Sequence, residues 1–276
     1  MKDLLRSLGD FLAKTNLFIA LAAAFSALSA SFFFDEEIDD YLCVFIFFST
    51  LFTYNFQRIL GDFHRNDASI SFGKGLMIFG GIGMISFFWT ISIPQILILS
   101  CCGILSFAYA YPFIQTEGGK LSLRLIPRLK LWIIVLVWSV SVAFVPLYGS
   151  DLSFFELMLF STQQGFFVAS LTIPFDIRDL RFDSPSQQTI PQILGVKRAV
   201  NLSLVFLVIS FLCSLLFYHY GSVPMSVFAA YAASLCVSAM ILQRANPSND
   251  DLYFTIFVDG MIILQAGMII LAKNYF

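Results

Sequence analysis

The sequence predicts an all-α membrane protein that crosses the bilayer nine times, and three observations carry that reading. First, 58% of its 276 residues are hydrophobic and 12% are charged, whereas soluble domains carry roughly 25% charge. Second, the apolar residues fall into nine runs, each near the roughly 20 residues that a helix needs to cross hydrocarbon. Third, with the N-terminus inside, fifteen of the sixteen Lys and Arg residues lie on the cytoplasmic side and only Lys273 lies outside, as the positive-inside rule requires. Little chain remains beyond the spans, so residues 1–276 form a single membrane domain. The net charge of −2 offers nucleic acid no electrostatic foothold.

Each element follows from its own pattern. Residues 1–15 alternate Leu4, Leu5, Leu8, Phe11 and Leu12 with charged positions, the pattern of an amphipathic helix lying in the interface. Spans follow near 16–34, 41–60, 75–93, 95–114, 129–148, 154–175, 199–219, 223–242 and 252–272. Pro94 divides the third from the fourth, because proline cannot continue a helix past its first turn. Outer connections are tight, at Ser92–Gln95, Gly149–Ser153 and Tyr220–Val223, and the acidic loop 35–40 also falls outside. Inner connections are long and polar, near 58–74, 113–130 and 176–198, so function is expected on the cytoplasmic face. The loops after spans two and six lie four helices apart and both mix acids with arginines, a faint internal repeat that would place them together. Gly80, Gly81 and Gly83 suit close helix packing. The five cysteines all lie in apolar runs and read as small buried or lipid-facing residues.

The most informative segment begins where span six ends: Asp176-Ile-Arg-Asp-Leu-Arg-Phe-Asp183. Asp176, Asp179 and Asp183 share one face if the helix continues. Three carboxylates so placed repel one another unless a cation sits among them. Mg²⁺ suits that position, since it takes carboxylate oxygens together with substrate phosphates, and Arg178 adds a phosphate donor. A solvated turn with compensating Asp/Arg pairs is the alternative. Asp259 lies inside the ninth apolar run, where a carboxylate is costly and points to function; it would orient an acceptor or pair with an arginine.

This segment, followed by Thr189-Ile-Pro-Gln-Ile-Leu-Gly195, resembles the second aspartate-rich motif of the UbiA superfamily of intramembrane prenyltransferases. The likeness is to the 1,4-dihydroxy-2-naphthoate polyprenyltransferase branch, with Arg178, Asp179, Asp183, Thr189, Leu194 and Gly195 in matching order. The resemblance implies nine helices, motifs on the loops after helices two and six, Mg²⁺ as cofactor, and transfer of a prenyl group from a polyprenyl diphosphate to an aromatic or other lipid-soluble acceptor. It implies catalytic and metal-binding roles for Asp176, Asp179 and Asp183. Diphosphate binding would fall to Asn55, Arg58, Asp62, Lys120, Arg124 and Arg178, with Tyr111 and Asp259 on the acceptor side. The first motif departs from the family pattern: within Asn55–Phe63, Phe56, Ile59 and Phe63 stand where aspartates belong, and Asp62 is one residue out of register. Arg58 would then hold the diphosphate in place of a metal, or the site has decayed. Two other classes stay open, a non-catalytic relative that binds a lipid or a partner protein and a small transporter.

The charge asymmetry predicts a cytoplasmic N-terminus and an outer C-terminus. In a cysteine-free background, Ile38→Cys is expected to react with an impermeant thiol reagent in intact cells while Ser186→Cys stays protected. The opposite pattern inverts the topology.

Overall fold

The computed structural model describes residues 11–12, 15–37, 39–61, 68–116 and 119–275. Residues 1–10 of the expected amphipathic helix, and the candidate Asp62, lie outside them. The described residues are overwhelmingly helical: α1 (Leu17–Phe34), α2 (Asp40–Gly61), α3 (Ala68–Phe88), α4 (Ile93–Ala110), α5 (Leu129–Ser139), α6 (Phe154–Asp179), the short α7 (Ile190–Leu194), α8 (Val196–His219), α9 (Met225–Leu242) and α10 (Gly260–Tyr275). Two π-helical segments interrupt this regularity: Val140–Phe144 extends α5, and Tyr253–Val258 leads towards α10.

Seven helical stretches among the described residues are long and apolar enough to cross a membrane. The other two expected spans differ for separate reasons. The stretch Leu129–Phe144 is apolar but short. Helix α6 is long, at 26 residues, but it carries Glu156 in its first turn and Asp176, Arg178 and Asp179 in its last. The loop expected over 113–130 contains a small antiparallel hairpin, β1 (Ile114–Thr116) with β2 (Gly119–Leu121), in which Gln115 faces Lys120. A 3₁₀ turn at Leu123–Leu125 then carries Arg124.

Helix α1 packs on α2 and α10, and successive neighbours α9, α8, α6, α5 and α4 lead back to α2. Helix α3 stands apart, packed chiefly on α2. Burial follows this plan: 56% of the apolar window of α1 is inside the protein, against 11% for α3 and α4. One end of the bundle is held by rings. Phe33 and Phe34 both lie 5.1 Å from Phe160, and Phe34 lies 5.0 Å from Phe217, joining α1, α6 and α8. At the same end Lys273 Nζ reaches Asp35 Oδ2 at 2.9 Å, which brings the end of α10 to the turn that follows α1. Capping boxes shape two of the tight turns, Ser92 with Gln95 and Ser153 with Glu156, and each satisfies exposed amide donors at a helix start.

The α2–α3 contact depends on two glycines. A Cβ on Gly80 would meet the backbone nitrogen of Phe52 at 2.8 Å, and one on Gly83 would meet the Phe48 ring at 2.3 Å. Gly81 has only ordinary contacts, the nearest at 3.5 Å. Gly80→Ala is therefore expected to lower stability by about 1–3 kcal/mol through overpacking. Gly81→Ala should be neutral or mildly stabilising, because alanine favours helix. Equal melting temperatures for the two variants in detergent would remove the close approach as an explanation.

Candidate functional site

A cavity of about 740 Å³ lies within the bundle, walled by α1, α2, α3, α4, α5, α6 and the start of α10. Most of its wall is aliphatic and aromatic, including Phe52, Phe56, Phe107, Phe175 and Trp138. The rings are organised: Phe56 stacks on Phe107 at 5.3 Å, and Phe52 lies 6.2 Å from Phe56. Trp138 donates its indole N–H to the Tyr54 hydroxyl at 3.1 Å, which satisfies a polar group that both rings bring into the wall.

One end of the cavity is charged. There the ammonium of Lys130, in the first turn of α5, lies 2.7 Å from Asp176 Oδ1, 3.3 Å from Asp183 Oδ2 and 3.6 Å from Asp179 Oδ2. Arg178 Nε donates to Asp179 Oδ1 at 2.8 Å, and the Arg178 guanidinium stands over the rings of Phe175 and Phe254 at 5.0 and 5.8 Å. Arg124 Nη2 lies 4.0 Å from Asp183 Oδ1 and its side chain is 45% exposed. Three carboxylates thus meet three cations, and the cluster is neutral as built.

The sequence builds this end in two pieces. Helix α6 stops at Asp179 rather than continuing, and a turn carries the chain on; the amides of Phe182 and Asp183 both donate to the Asp179 carbonyl at 2.8 Å. That turn, not an unbroken helix, brings Asp183 beside Asp176 and Asp179. The chain is then anchored by Gln192, whose amide donates to the carbonyls of Asp183 and Ser184 at 3.3 and 3.1 Å. On the other side, Arg128 takes a left-handed φ of 63° just before α5. Its N–H donates to the Gln187 carbonyl at 3.1 Å. The start of α5, and with it Lys130, is therefore tied to the same loop that follows the carboxylates.

The other candidates are distributed unevenly. Arg124, Asp176, Arg178, Asp179 and Asp259 line the cavity, and Asp183 reaches its charged end through Lys130 and Arg124. Asn55, expected at the diphosphate, is fully buried elsewhere. Its side chain donates to the carbonyls of Thr15 and Leu51 at 3.2 and 2.9 Å and accepts from Asn16 at 3.2 Å. Asn55 therefore fastens the start of α1 to α2, and its hydrogen-bonding groups are already engaged. Arg58 does not line the cavity; Gln57 and Phe56 of the same turn do. Phe56 thus puts a ring into the wall where the family pattern has a carboxylate. Tyr111 caps α4 and is exposed, while Tyr109, two residues earlier, lines the cavity. Lys120 is exposed on β2 and is absent from the cavity wall. Lys130 closes the basic segment 120–130, which resembles a diphosphate-binding segment of the family; the structure instead turns its ammonium onto the three carboxylates.

The geometry bears on the expected metal. Magnesium requires near-octahedral oxygen ligands at about 2.0–2.1 Å, and here a buried ammonium stands at the point where the carboxylates converge. Among the described residues no group of three His, Cys, Asp or Glu side chains is disposed to hold a metal ion. The donor set as folded fits an ammonium rather than a divalent ion.

No family model matches the chain, and no curated protein matches its sequence. Solved structures do. A UbiA homolog from Aeropyrum pernix K1, solved in its apo form, superposes with a TM-score of 0.64 at 14% identity, over 91% of this chain and 96% of that one. A structure described for digeranylgeranylglyceryl phosphate synthase in membranes gives a TM-score of 0.59 at 12% identity, over 97% of both chains. These likenesses establish the fold expected from the aspartate-rich segment.

Removing Lys130 leaves three carboxylates crowded in a poorly solvated place. Lys130→Met is expected to destabilise the protein by about 3–5 kcal/mol, and Asp176→Asn in the same chain should recover part of the loss. Thermal unfolding in a single detergent checks both; equal loss in the single and double variants would mean that the charges are not coupled.

Proposed function

We propose that the chain is an intramembrane prenyltransferase, moving a prenyl group from a polyprenyl diphosphate to an aromatic or other lipid-soluble acceptor. The observation that carries this reading is the cavity itself, a long apolar and aromatic chamber with all of its paired charge at one end. An isoprenoid chain fits the chamber and its anionic head fits the charged end. The shared fold supports the reading, as does the order Arg178, Asp179, Asp183, Thr189, Leu194, Gly195 along the sequence. The charged end would face the cytoplasm, with the N-terminus on that side.

In this reading Arg124 and Arg178 use their remaining N–H donors on the diphosphate oxygens. Their fixed positive charge stabilises the leaving group as the bond between the allylic carbon and the diphosphate oxygen breaks. Positive charge that develops on the allylic carbon meets the faces of Phe56, Phe107 and Phe175, which attract cations through their ring quadrupoles. The walls keep water from that carbon. The acceptor then forms its bond to the prenyl group and releases a proton, for which the Asp259 carboxylate on the cavity wall is the acceptor-side base. Diphosphate departs towards the charged end.

A second reading has its own support: a chain with this fold that binds a lipid and does not turn it over. Phe56 in the wall in place of a carboxylate favours it. Both readings meet one experiment, incubation of the purified protein with farnesyl and longer prenyl diphosphates and a panel of hydroxylated aromatic acceptors. Prenylated product is expected, with Asp259→Asn slowing turnover by about 10²–10⁴-fold, the range for loss of a general base, while leaving diphosphate affinity within about twofold. Binding without product under every pairing would favour the second reading, and no binding at all would remove the first.

A further inference from the structure

We infer that Lys130 is a built-in counter-cation, holding the place that a divalent ion would take among Asp176, Asp179 and Asp183, so that this site operates without metal. The inference rests on the prenyl-transfer reading only for the nature of the anion that the site meets. Its structural half stands on the cluster alone.

Lys130 Nζ donates a hydrogen bond to Asp183 Oδ2 at 3.3 Å and stands as an ion-pair partner 2.7 Å from Asp176 Oδ1 and 3.6 Å from Asp179 Oδ2. Its positive charge occupies the point where the three carboxylates converge. To admit a divalent ion the chain would have to expel that ammonium, whose side chain is only 9% exposed. Its origin is fixed as well. Arg128, at φ 63° and bonded to the Gln187 carbonyl, sets where α5 begins. The loop containing Gln187 follows directly from Asp183. Lysine and carboxylates are thus held by one continuous frame, which favours a permanent arrangement over a side chain waiting to be displaced.

The opposite wall agrees. Where α2 meets the cavity it presents the Phe56 ring and the Gln57 amide, and Gln57 Nε2 is turned to the Ser106 carbonyl at 3.3 Å. Among the described residues of α2 that line the cavity there is no carboxylate to share a metal-bridged diphosphate. Arg124 and Arg178 are the groups left with donors to spare. An anionic head would therefore be held by guanidinium groups, whose planar forks suit phosphate oxygens. Lys130 meanwhile neutralises carboxylates that would otherwise repel the incoming anion.

The test uses the full chain in detergent, with Mn²⁺ followed by electron paramagnetic resonance and farnesyl diphosphate binding measured in EDTA and in Mg²⁺. For the wild type we expect no stoichiometric Mn²⁺ and farnesyl diphosphate affinity that agrees within about twofold between the two buffers. Lys130→Gln is expected to gain one Mn²⁺ site per chain, lost again on adding Asp179→Asn. One Mn²⁺ per wild-type chain, or an affinity loss of about tenfold or more in EDTA, overturns the inference. A folded Lys130→Gln chain that takes up no Mn²⁺ also overturns it. If that variant does not fold, the wild-type Mn²⁺ titration decides alone. A wild type that binds neither Mn²⁺ nor farnesyl diphosphate removes the prenyl-transfer reading and supports the lysine in its structural place.

Discussion

Three carboxylates within reach of one another at the edge of a membrane protein repel strongly, and folding can bring them together only if positive charge arrives with them. Lys130 supplies that charge from α5, while Asp176 and Asp179 come from the last turns of α6 and Asp183 from the turn beyond. Much else follows from this meeting. The α5–α6 pair must be registered so that the two helix ends coincide. The loop after Asp183 must double back far enough for Gln187 to receive the Arg128 amide. The cavity acquires a polar pole, because charges paired there leave the remaining walls free to be apolar.

Much of the architecture was legible because membranes impose a narrow grammar. Apolar run lengths located the helices. The ends of α3 were displaced towards the N-terminus, since Ala68–Ser71 is helical despite its polarity and Trp89–Ile91 is not. The sixth span was expected over 154–175, whereas α6 runs on to Asp179; a continuing helical face was expected to carry Asp183 as well. A turn performs that task instead, and turns of this kind leave only a weak trace in composition.

The site was legible to the extent that its residues carry unusual charge. Asp176, Asp179, Asp183, Arg178 and Asp259 stood out because acids and arginines at apolar boundaries are expensive. Asn55 also matched a motif, yet its buried side chain spends its hydrogen bonds on Thr15, Asn16 and Leu51. A motif letter cannot distinguish an amide that faces a ligand from one that fastens two helices. Lys130 was legible as one charge of the basic segment 120–130, but its pairing with Asp176, Asp179 and Asp183 depends on neighbours that only the fold supplies. The likeness of fold at 12–14% identity has the same origin. Helix lengths and packing tolerate wide exchange among apolar residues.

The two π-helical segments have a consequence for how this chain can vary. Each accommodates one residue more than an α-helix would in the same axial length. Val140–Phe144 carries Ser141 and Val142 into the cavity wall, and Tyr253–Val258 ends immediately before Asp259. Deleting one residue from either would let regular helix form and would rotate everything beyond it by about 100° about the helix axis. For the second segment that rotation would swing Asp259 out of the chamber and bring a neighbouring side chain into its place. The lengths of these two helices are therefore coupled to what the cavity displays, so the chain tolerates exchange of side chains there far better than loss of a single residue.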